Sequence, residues 1–507
     1  MKNIRAAAEA GRLAPANVRR HKVLVVDLNN FSTFPTLAIG ILLASLRNSG
    51  FEASLLSPLA FDVPAGERER ADTFFDHVAR RLHFSADGPM RAVRDLARAG
   101  YYWRQNRPHP RVLSAVGRAL EARPDALLLS AYLQHYETVR ALANLARKHG
   151  VPVLLGGPVF NLPEVADAWR TIPGLAAVVG AEVDADLPEI VRTVCEGGDL
   201  LAFDGVVAPD GRRSSAAKPF RRLDETLVPD FTDFPWDRYR VRIVPMMAGR
   251  GCQWDRCTFC SDVSSVSGRT FRNRSLEHVM HEMREQSRRH QTGNFLFLDL
   301  KLNSNPNLLR GIVENVQRNV RGAQWIGTVH VDQRRDNGLS RGELRAAVSA
   351  GMRRVSFGLE SGSQRMLDAM DKGCTVEGNA EFIRNAYEAG LSVRCTMFSG
   401  YPGETGRDLE LTADFLEAHG RYIDRIRFNA FSIQEGTRIH ERLRQDPDAY
   451  PAISLGRADA RYGRSRYLNR DERSPAFRRA RRRVLKAVYA INRRKIRSSA
   501  RAFDGLM

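Results

Sequence analysis

Short apolar runs alternate with amphipathic stretches along the first part of this chain. Five of the runs have the length and composition of buried strands, and they lie at 23–26, 53–56, 126–130, 151–155 and 176–179. Between the first two runs, the stretch from Pro35 to Asn48 has a helical pattern that Gly50 closes. Strands that alternate with helices indicate a parallel sheet covered on both faces, whose ligand binds at the carboxyl ends of the strands.

The same alternation begins again at Val244. Six further runs are predicted to be strands, and they lie at 244–247, 295–298, 325–329, 354–357, 393–398 and 425–428. A helical pattern separates each of these runs from the next. Six such units are what a partial parallel barrel requires, with the active site in the loops that follow the strands.

A chain of 507 residues is too long for a single core, and these patterns divide it into parts. We predict an α/β protein that begins with a Rossmann-like domain over residues 21–198, interrupted by a helical insertion at about 66–123. A polar linker at 199–239 precedes a partial (β/α)6 barrel at 240–443. The remaining residues, 444–507, are basic and are predicted to be helical.

Three cysteines stand close together in the loop after the first predicted barrel strand. Cys252, Cys257 and Cys260 form a C-x4-C-x2-C sequence. A structural zinc site or an iron–sulfur electron carrier normally has four protein ligands, so three thiolates indicate a centre with one metal position open. The alternative is a zinc site completed by His278 or His281, which lie beyond this loop in a helical pattern.

The remaining cysteines stand singly, at Cys195, Cys374 and Cys395. We predict that they are core or near-surface residues. Six cysteines in 507 residues do not form a disulfide scaffold, which favours a reducing compartment. The first residues lack a signal peptide, and no run approaches the roughly 20 apolar residues of a membrane span. We therefore expect a cytoplasmic protein that does not use a membrane.

The net charge of the chain is +20, and a basic surface attracts phosphate regardless of sequence. Much of the excess lies at the end, where residues 471–507 hold 12 Lys or Arg against 3 Asp or Glu. We interpret the arginines as solvated helix faces in preference to a nucleic-acid groove. Binding of an acidic or phosphorylated partner stays open.

Motifs of the second domain occur in an order that is typical of one family. They are the cysteine triplet with Phe259 before its last cysteine, Phe297-Leu298-Asp299, Phe357-Gly358-Leu359-Glu360-Ser361-Gly362-Ser363-Gln364, Gly400-Tyr401-Pro402-Gly403-Glu404-Thr405 and Gln434-Glu435-Gly436-Thr437. With these motifs the chain resembles the cobalamin-dependent radical S-adenosylmethionine (SAM) enzymes, from about His21 to about Glu441. The usual triplet of that family is C-x3-C-x2-C, so the first gap holds one extra residue here.

The resemblance implies a SAM site on the barrel. The three cysteines would hold three irons of a 4Fe-4S cluster, and the fourth iron would bind the amino and carboxylate groups of SAM. Glu360 and Ser361 would bind the ribose hydroxyls, and Asp299 would lie at the SAM amino group. The adenine would lie against the backbone of Gly400, Pro402 and Gly403.

Two of these motifs have a plain structural alternative. Glu360 and Ser361 precede a predicted helix and are of the residue types that cap helices. The stretch from Gly400 to Glu404 is compatible with an ordinary turn between a strand and a helix. Both alternatives would explain the residues without a ligand.

The first domain resembles the cobalamin-binding domain of the same enzymes. The matching segments include Leu129-Ser130-Ala131-Tyr132, Leu155-Gly156-Gly157-Pro158 and Val179-Gly180-Ala181-Glu182. Ser130, Gly156, Gly157 and Gly180 would contact cobalamin, with its nucleotide tail along Gly156 and Gly157. The domain has no D-x-H-x-x-G sequence, so we predict that His135 is a helix-face residue and not a cobalt ligand. The alternative is a Rossmann-like domain that has lost its cofactor.

As a member of that family, the chain would be a methyltransferase for an unactivated carbon of a biosynthetic intermediate, acting through a 5′-deoxyadenosyl radical and methylcobalamin. The alternatives are a cobalamin-dependent cyclase, rearrangement or oxidation enzyme, and a basic nucleic-acid-binding protein with a structural metal. The substrate would be a small molecule or a peptide, and an external flavodoxin or ferredoxin would supply electrons. No residue of the sequence is marked as a catalytic acid, base or nucleophile.

Overall fold

A computed structural model of the chain describes residues 20–31, 33–64, 70–86, 88–262, 270–334 and 336–506. Its first sheet has six strands, β1 (Lys22–Asp27), β2 (Glu52–Leu56), β3 (Ala126–Ser130), β4 (Val153–Gly156), β5 (Leu175–Val179) and β6 (Val206–Val207). Their order is β2-β1-β3-β4-β5-β6, and the first five are parallel while β6 runs antiparallel to β5. The prediction of a Rossmann-like parallel sheet is confirmed.

Both faces of this sheet are buried, as its continuous apolar strands require. Val23 and Val25 of β1 face one core, and Leu24 and Val26 face another. The helices of this part are α1 (Leu37–Asn48), α2 (Phe74–His83), α3 (Gly88–Asn106), α4 (Pro110–Glu121), α5 (Tyr136–Lys148), α6 (Pro163–Arg170) and α7 (Leu187–Glu196). Helices α2 to α4 form the predicted insertion, whose expected start at about residue 66 lies outside the described residues.

The second sheet holds six parallel strands in the order β14-β13-β12-β11-β10-β7. The strands after β6 are β7 (Val244–Met246), β8 (Gly249–Arg250), β9 (Arg272–Asn273), β10 (Asn294–Phe297), β11 (Gln324–Val329), β12 (Met352–Glu360), β13 (Ser392–Ser399) and β14 (Arg425–Ala430). The short strands β8 and β9 pair with each other as an antiparallel hairpin. The six parallel strands confirm the partial (β/α)6 barrel.

Helices connect the barrel strands at their predicted places. They are α8 (Leu276–His290), α9 (Pro306–Asn319), α10 (Arg341–Ser349), α11 (Gln364–Ala369), α12 (Val376–Ala389) and α13 (Gly406–His419). Residues at their ends determine where several of these helices begin and end. Ser340 and Thr405 form capping boxes at the starts of α10 and α13. Gly390 ends α12 in a left-handed conformation.

The predicted linker does not simply connect the two parts. Its strand β6 completes the first sheet, and Phe231 and Phe234 enter a core that is continuous from the first sheet to the barrel. Phe231 packs so tightly on α1 that a Cβ at Gly40 would lie 2.3 Å from its ring. These two phenylalanines alternate with polar residues in the segment 229–235, and their burial in this core joins the barrel to the first domain.

The region after the barrel is only partly helical. Residues 444–507 contain α15 (Pro475–Asn492), but also β16 (Ile453–Asp459) and β17 (Arg464–Asn469). These two strands form an antiparallel sheet with β15 (Ile433–Gln434), which α14 (Arg438–Gln445) follows in the chain. The side chains of β16 are mostly exposed, which explains why no apolar alternation predicted this strand. Among the described residues, no helix is long and apolar enough to cross a membrane.

Helix α15 belongs to the basic tail, and several of its side chains pair with other parts of the protein. Arg483 pairs with Glu410 and Glu417 of α13, and Arg481 pairs with Glu472. The side-chain amide of Asn492 bonds the backbone of Ile426, which covers the outer edge of β14. Several polar and charged groups of the tail therefore make contacts within the protein.

Burial of Asp27 at the end of β1 predicts a pH-dependent stability. Burial raises the pKa of this carboxyl to about 7, although it accepts hydrogen bonds from the Asn29 backbone and the Thr36 hydroxyl. The folded state therefore holds a proton that the unfolded chain releases near pH 4, so stability falls as the pH rises from about 4 to about 7. We expect Asp27→Asn to remove this loss, which amounts to at most about 4 kcal/mol.

Urea unfolding at pH 5 and pH 8 measures this effect. The variant should be more stable than the natural chain at pH 8, and the difference should shrink at pH 5. Asp186 is exposed, so Asp186→Asn serves as the control and should leave the free energy of unfolding unchanged at both pH values. An unaltered pH profile for Asp27→Asn would show that the carboxyl is ionised throughout.

Candidate functional site

The three clustered cysteines lie on the loop that joins β8 to β9. All three side chains are partly buried. In the described part of the chain, no three His, Cys, Asp or Glu side chains are already arranged to hold a metal ion. The structure thus places the thiols on one loop, at the carboxyl end of β7, without a preformed coordination shell.

Backbone and side-chain hydrogen bonds fix the middle of this loop. The backbone of Thr258 donates to Met370 O at 2.9 Å and accepts from Ile439 N at 2.9 Å. Its hydroxyl lies 2.7 Å from the hydroxyl of Tyr401, and the residue is fully buried. The loop is thereby attached to α11, to α14 and to the motif after β13 at the same time.

Two buried lysines, each paired with a carboxylate, interact electrostatically with the thiols. Burial raises the pKa of Cys257 to about 11, while Lys372 acts to lower it. Lys301 is paired with Asp332 at 2.5 Å, and burial lowers its pKa, whereas Asp332 and, more weakly, Cys252 raise it. Cations beside thiolates are the environment that an anionic iron–sulfur cluster needs, so the donor set and its surroundings fit such a cluster.

Glu360 ends β12 and forms a buried ion pair with Lys372. The distance from Lys372 Nζ to Glu360 Oε1 is 3.0 Å, and about a tenth or less of each side chain is exposed. The backbone of Glu360 is left-handed, with φ of 57°, and the pairing register with β13 shifts there. A strained, buried carboxylate at a strand end is a feature that the fold must hold in place, as functional sites commonly require.

Ser361 has a structural partner of its own. Its hydroxyl accepts a hydrogen bond from the Ser363 backbone at 3.1 Å and lies 3.2 Å from the hydroxyl of Thr412. Ser361 thus stabilises the turn before α11, although the N-cap of this helix is Ser363, which makes no side-chain capping bond. Its assignment to the SAM ribose stays a proposal.

The motif after β13 is a turn stabilised by a buried glutamate. The carboxylate of Glu404 accepts from the Ser399 hydroxyl at 2.8 Å and from Gly400 N at 2.7 Å, and burial raises its pKa to about 7. Gly400 and Gly403 have φ of 101° and 83°, which glycine adopts without strain. The turn therefore explains the glycines, and adenine contact by Gly400, Pro402 and Gly403 stays a proposal.

The side chain of Asp299 is bound by the backbone of the barrel. Its carboxylate accepts from Ala248 N at 3.0 Å and from Gly249 N at 2.7 Å, which fixes the turn between β7 and β8. Burial raises the pKa of Asp299 to about 6, and these backbone donors act to lower it. With both oxygens engaged, Asp299 positions the cysteine loop, and its backbone is the part left for a SAM contact.

The four residues proposed for cobalamin lie together at the carboxyl edge of the first sheet. Ser130 and Gly156 end the neighbouring strands β3 and β4, and Gly180 follows β5. Loop packing accounts for two of the glycines, because a Cβ at Gly157 would lie 2.3 Å from Ala131 O and one at Gly180 would lie 2.5 Å from the Phe160 backbone. Gly156 has no such clash, and its Cβ position is open at ordinary contact distance.

A buried polar cluster at the same edge fits a polar ligand. Asp27 ends β1, and Asn29, Thr33 and Thr36 follow it. All four are less than a tenth exposed. The hydroxyl of Thr33 is fully buried and has no hydrogen-bond partner among the described residues. Because a buried polar group without a partner is costly, this edge suits a cofactor that carries amides and hydroxyls, such as cobalamin.

Two arginines of the β8–β9 hairpin join the cysteine loop to the first domain. Arg250 holds both carboxylate oxygens of Asp184, at 2.6 and 2.8 Å, and Arg272 donates to Glu182 at 2.7 Å. These carboxylates lie in the loop after β5, and all four side chains are largely buried. The carboxyl ends of the two parallel sheets therefore face each other across this hairpin.

His135 is engaged at the start of α5. Its Nδ1 accepts a hydrogen bond from the Tyr132 backbone at 3.2 Å, and burial lowers its pKa to about 4. We expect cobalamin-loaded protein to show no axial nitrogen from this ring. Electron paramagnetic resonance of the cobalt(II) form should give the same spectrum for the natural chain and His135→Ala, and nitrogen splitting that disappears in the variant would contradict the prediction.

The comparisons with known proteins agree with this architecture. Residues 246–416 match the model of the Radical SAM superfamily. The chain therefore contains a radical SAM domain, and such a domain implies a 4Fe-4S cluster and SAM as cofactors.

Two solved structures share the fold of nearly the whole chain. One is the radical SAM methyltransferase TsrM from Kitasatospora setae, solved with tryptophan and a SAM analogue, with a TM-score of 0.65 at 17% identity over 89% of this chain and 86% of that one. The other is the cobalamin-dependent radical SAM enzyme OxsB with aqua-cobalamin bound, with a TM-score of 0.66 at 16% identity over 88% of this chain and 64% of that one. The chain shares the two-domain fold of these two enzymes, which confirms the predicted fold class.

Curated relatives carry names from the same area of chemistry. An uncharacterised methyltransferase, PH0819, of Pyrococcus horikoshii is 27% identical over 63% of this chain and 69% of its own length. The anaerobic magnesium-protoporphyrin IX monomethyl ester cyclase of Rubrivivax gelatinosus is 27% identical. The aligned region covers 52% of this chain and 48% of the cyclase. The relatives thus include both methyltransferases and a cyclase.

The residues that sequence reasoning missed are mainly charged groups. Lys372, Lys301, Arg250 and Asp184 look like surface residues in the sequence, because Lys, Arg and Asp are almost never buried without a partner. Only the fold brings their partners to them. One available signal was the position of Arg250 two residues before Cys252, at the start of the cysteine loop.

Proposed function

We propose that this chain is a cobalamin-dependent methyltransferase that methylates an unactivated carbon of a biosynthetic intermediate. The observation that carries the proposal is the β8–β9 hairpin, which brings the cysteine loop against the loop after β5 through Arg250 and Asp184. When bound, the cluster with SAM would supply a 5′-deoxyadenosyl radical, and cobalamin would supply the methyl group.

The residues of the chain have distinct tasks in this proposal. Cys252, Cys257 and Cys260 hold the cluster, and Lys372 holds the carboxylate of Glu360 in the position from which it would bind the ribose of SAM. Asp299 fixes the turn that leads into the loop. A primary carbon radical reacts only at contact distance, so the substrate must lie between the two facing sheet edges.

Cobalamin would lie along the edge formed by Ser130, Gly156 and Gly180, with the buried hydroxyl of Thr33 nearby in the fold. An external one-electron donor of the flavodoxin or ferredoxin type would reduce the cluster. The substrate in this proposal is a small molecule or a peptide. The basic surface is not assigned to nucleic acid.

Product analysis tests methyl transfer directly. The anaerobic, cofactor-loaded chain is incubated with reductant, SAM deuterated in its methyl group, and a small-molecule extract of the source organism. We expect a compound that gains one labelled methyl group, with S-adenosylhomocysteine and 5′-deoxyadenosine formed beside it. The Cys252→Ala, Cys257→Ala, Cys260→Ala variant is the control and should form none of these products.

A cyclase or oxidation reaction is the second candidate, because one relative is named as a cyclase and matches 52% of this chain. It predicts 5′-deoxyadenosine and a changed product that carries no labelled methyl group. That result would replace methyl transfer while leaving the radical SAM assignment intact.

A further inference from the structure

A basic cleft with a volume of about 180 Å³ opens where the helical insertion meets the barrel and the C-terminal region. Its basic lining residues are His83, Arg91, Arg94, Arg98, Arg473 and Arg481. Among the described residues that line it, Glu472 is the one acid. The cleft lies outside the cysteine loop and outside the edge assigned to cobalamin.

Helix α3 directs its charge into this cleft. Arg91, Arg94 and Arg98 follow one another at spacings of three and four residues, which places them on one face of the helix. Leu96 and Trp103, in contrast, are 77% and 67% exposed to solvent. A surface helix normally turns its charged face outward, so these arginines are not simply a solvated helix face.

Several of the guanidinium groups are held by the protein. Arg98 donates to His83 O at 2.8 Å and lies 3.2 Å from Nε2 of the same histidine. Burial and the neighbouring Arg98 and Arg94 lower the pKa of His83 to about 4, so the neutral ring can accept a hydrogen bond from Arg98. Arg481 is 4% exposed and lies against the rings of Phe84 and Phe477.

The charge balance of the cleft favours a ligand with more than one negative charge. Arg481 pairs with Glu472 at 2.8 Å, and Arg94 pairs with the exposed Asp95. Among the described residues that line the cleft, there are five guanidinium groups and the one carboxylate of Glu472. A single carboxylate ligand would leave most of this excess uncompensated, whereas phosphate and diphosphate carry two or more charges and fit the planar guanidinium fork.

We propose that this cleft binds a phosphoryl group, as phosphate or diphosphate. Its position connects it to the catalytic face, because Ser399 and Phe431 at the ends of β13 and β14 form part of its wall. The Phe431 ring lies 5.1 Å from that of Phe398, which lies 5.0 Å from that of Phe259, the residue before Cys260. The cleft is therefore one row of aromatic rings away from the cysteine loop.

The position of the cleft beside the catalytic face points to a phosphorylated substrate. This assignment of the ligand rests on the proposed function. A phosphoryl group anchored in the cleft would leave the rest of such a molecule to extend over Phe431 toward the catalytic face. The same chemistry would also take a free phosphate ion. Binding and turnover experiments separate these two sources.

Calorimetric titration of the anaerobic full-length chain with pyrophosphate tests the site without any need for turnover. We expect saturable binding that is weakened at least tenfold in the Arg91→Gln, Arg98→Gln double variant. Arg104→Gln, on the same helix but outside the cleft, is the matched control and should bind as the natural chain does. The exposed Arg473→Gln is a second test that does not disturb the helix, and it should also weaken binding.

The proposal is overturned if pyrophosphate does not bind, or if it binds equally to all of these variants. If pyrophosphate also competes with formation of the methylated product, the phosphoryl group belongs to the substrate. If binding persists and turnover is unaffected, the cleft takes a free phosphate ion. Failure of methyl transfer would show separately, in the product analysis, and would leave the binding result standing.

Discussion

Replacing Cys252, Cys257 and Cys260 together with Ala should remove the cluster and abolish all cleavage of SAM. The three thiols are the cysteines of the β8–β9 loop, and Lys372 and Lys301 interact electrostatically with two of them. Without the thiolates, neither iron nor the chelating position for SAM is retained. Iron content and the yield of 5′-deoxyadenosine from anaerobic, reconstituted protein measure the effect.

Cys374 provides a demanding control for this experiment. It is buried, lies close enough to Cys257 to affect its pKa, and accepts a hydrogen bond from Asn379 at 3.6 Å. We expect Cys374→Ala to keep the cluster and SAM cleavage. A triple variant that stays replete with iron and cleaves SAM would contradict the assignment of the three ligands.

Glu360→Ala should weaken SAM binding roughly ten- to hundredfold while the cluster is retained. The lost contacts would be charge-assisted hydrogen bonds to ribose hydroxyls, which contribute roughly 1.5–3 kcal/mol. The variant also leaves Lys372 buried without its carboxylate, and breaking a buried ion pair destabilises a protein by about 3–5 kcal/mol. Equilibrium binding of SAM to reconstituted protein, with iron content determined in parallel, measures the first effect.

A second buried ion pair separates the loss of binding from the loss of stability. Glu282 pairs with Arg274 at 2.7 Å and is 3% exposed, in a helix that carries none of the proposed SAM contacts. We expect Glu282→Ala to lower stability by a similar amount and to leave SAM affinity unchanged. The double variant Lys372→Met, Glu360→Gln removes both charges, and it should recover stability without recovering SAM affinity. Equal SAM affinity in Glu360→Ala and the natural chain would contradict the ribose assignment.

The strands of both sheets were predictable because parallel strands buried on both faces are short, continuous apolar runs. Val23 to Val26 and Phe295 to Phe297 are examples in which the run itself is the strand. The order of the motifs then identified the barrel and the position of the cysteine loop at its catalytic face. Physical pattern and family resemblance therefore predicted the fold class, and the role of the three cysteines as metal ligands stays a prediction.

The pairings across the site were not predictable. The carboxylate of Asp184 meets Arg250 across 66 residues of sequence, and no local pattern predicts that the two residues pair. Phe231 and Phe234 stand in a polar stretch, yet they enter the core because the two domains close over them. Strand β16 has mostly exposed side chains, so it lacks the alternation that predicts a strand.

The net charge of +20 has at least two explanations in the structure. Part of it is neutralised locally, as where Arg483 pairs with Glu410 and Glu417. Another part is concentrated in the cleft of the insertion, where Arg91 and Arg98 face inward. Composition alone does not distinguish a solvated helix face from a binding site, because that distinction depends on which face of the helix the fold covers.

A visible absorption spectrum of the anaerobically purified chain, with iron, cobalt and zinc determined on the same sample, tests the central claim most directly. The account predicts a brown protein with about four irons per chain, the number that a 4Fe-4S cluster contains. Corrin bands should appear after incubation with cobalamin, with cobalt retained on gel filtration. A colourless protein that holds zinc, and that does not retain cobalamin, would contradict it.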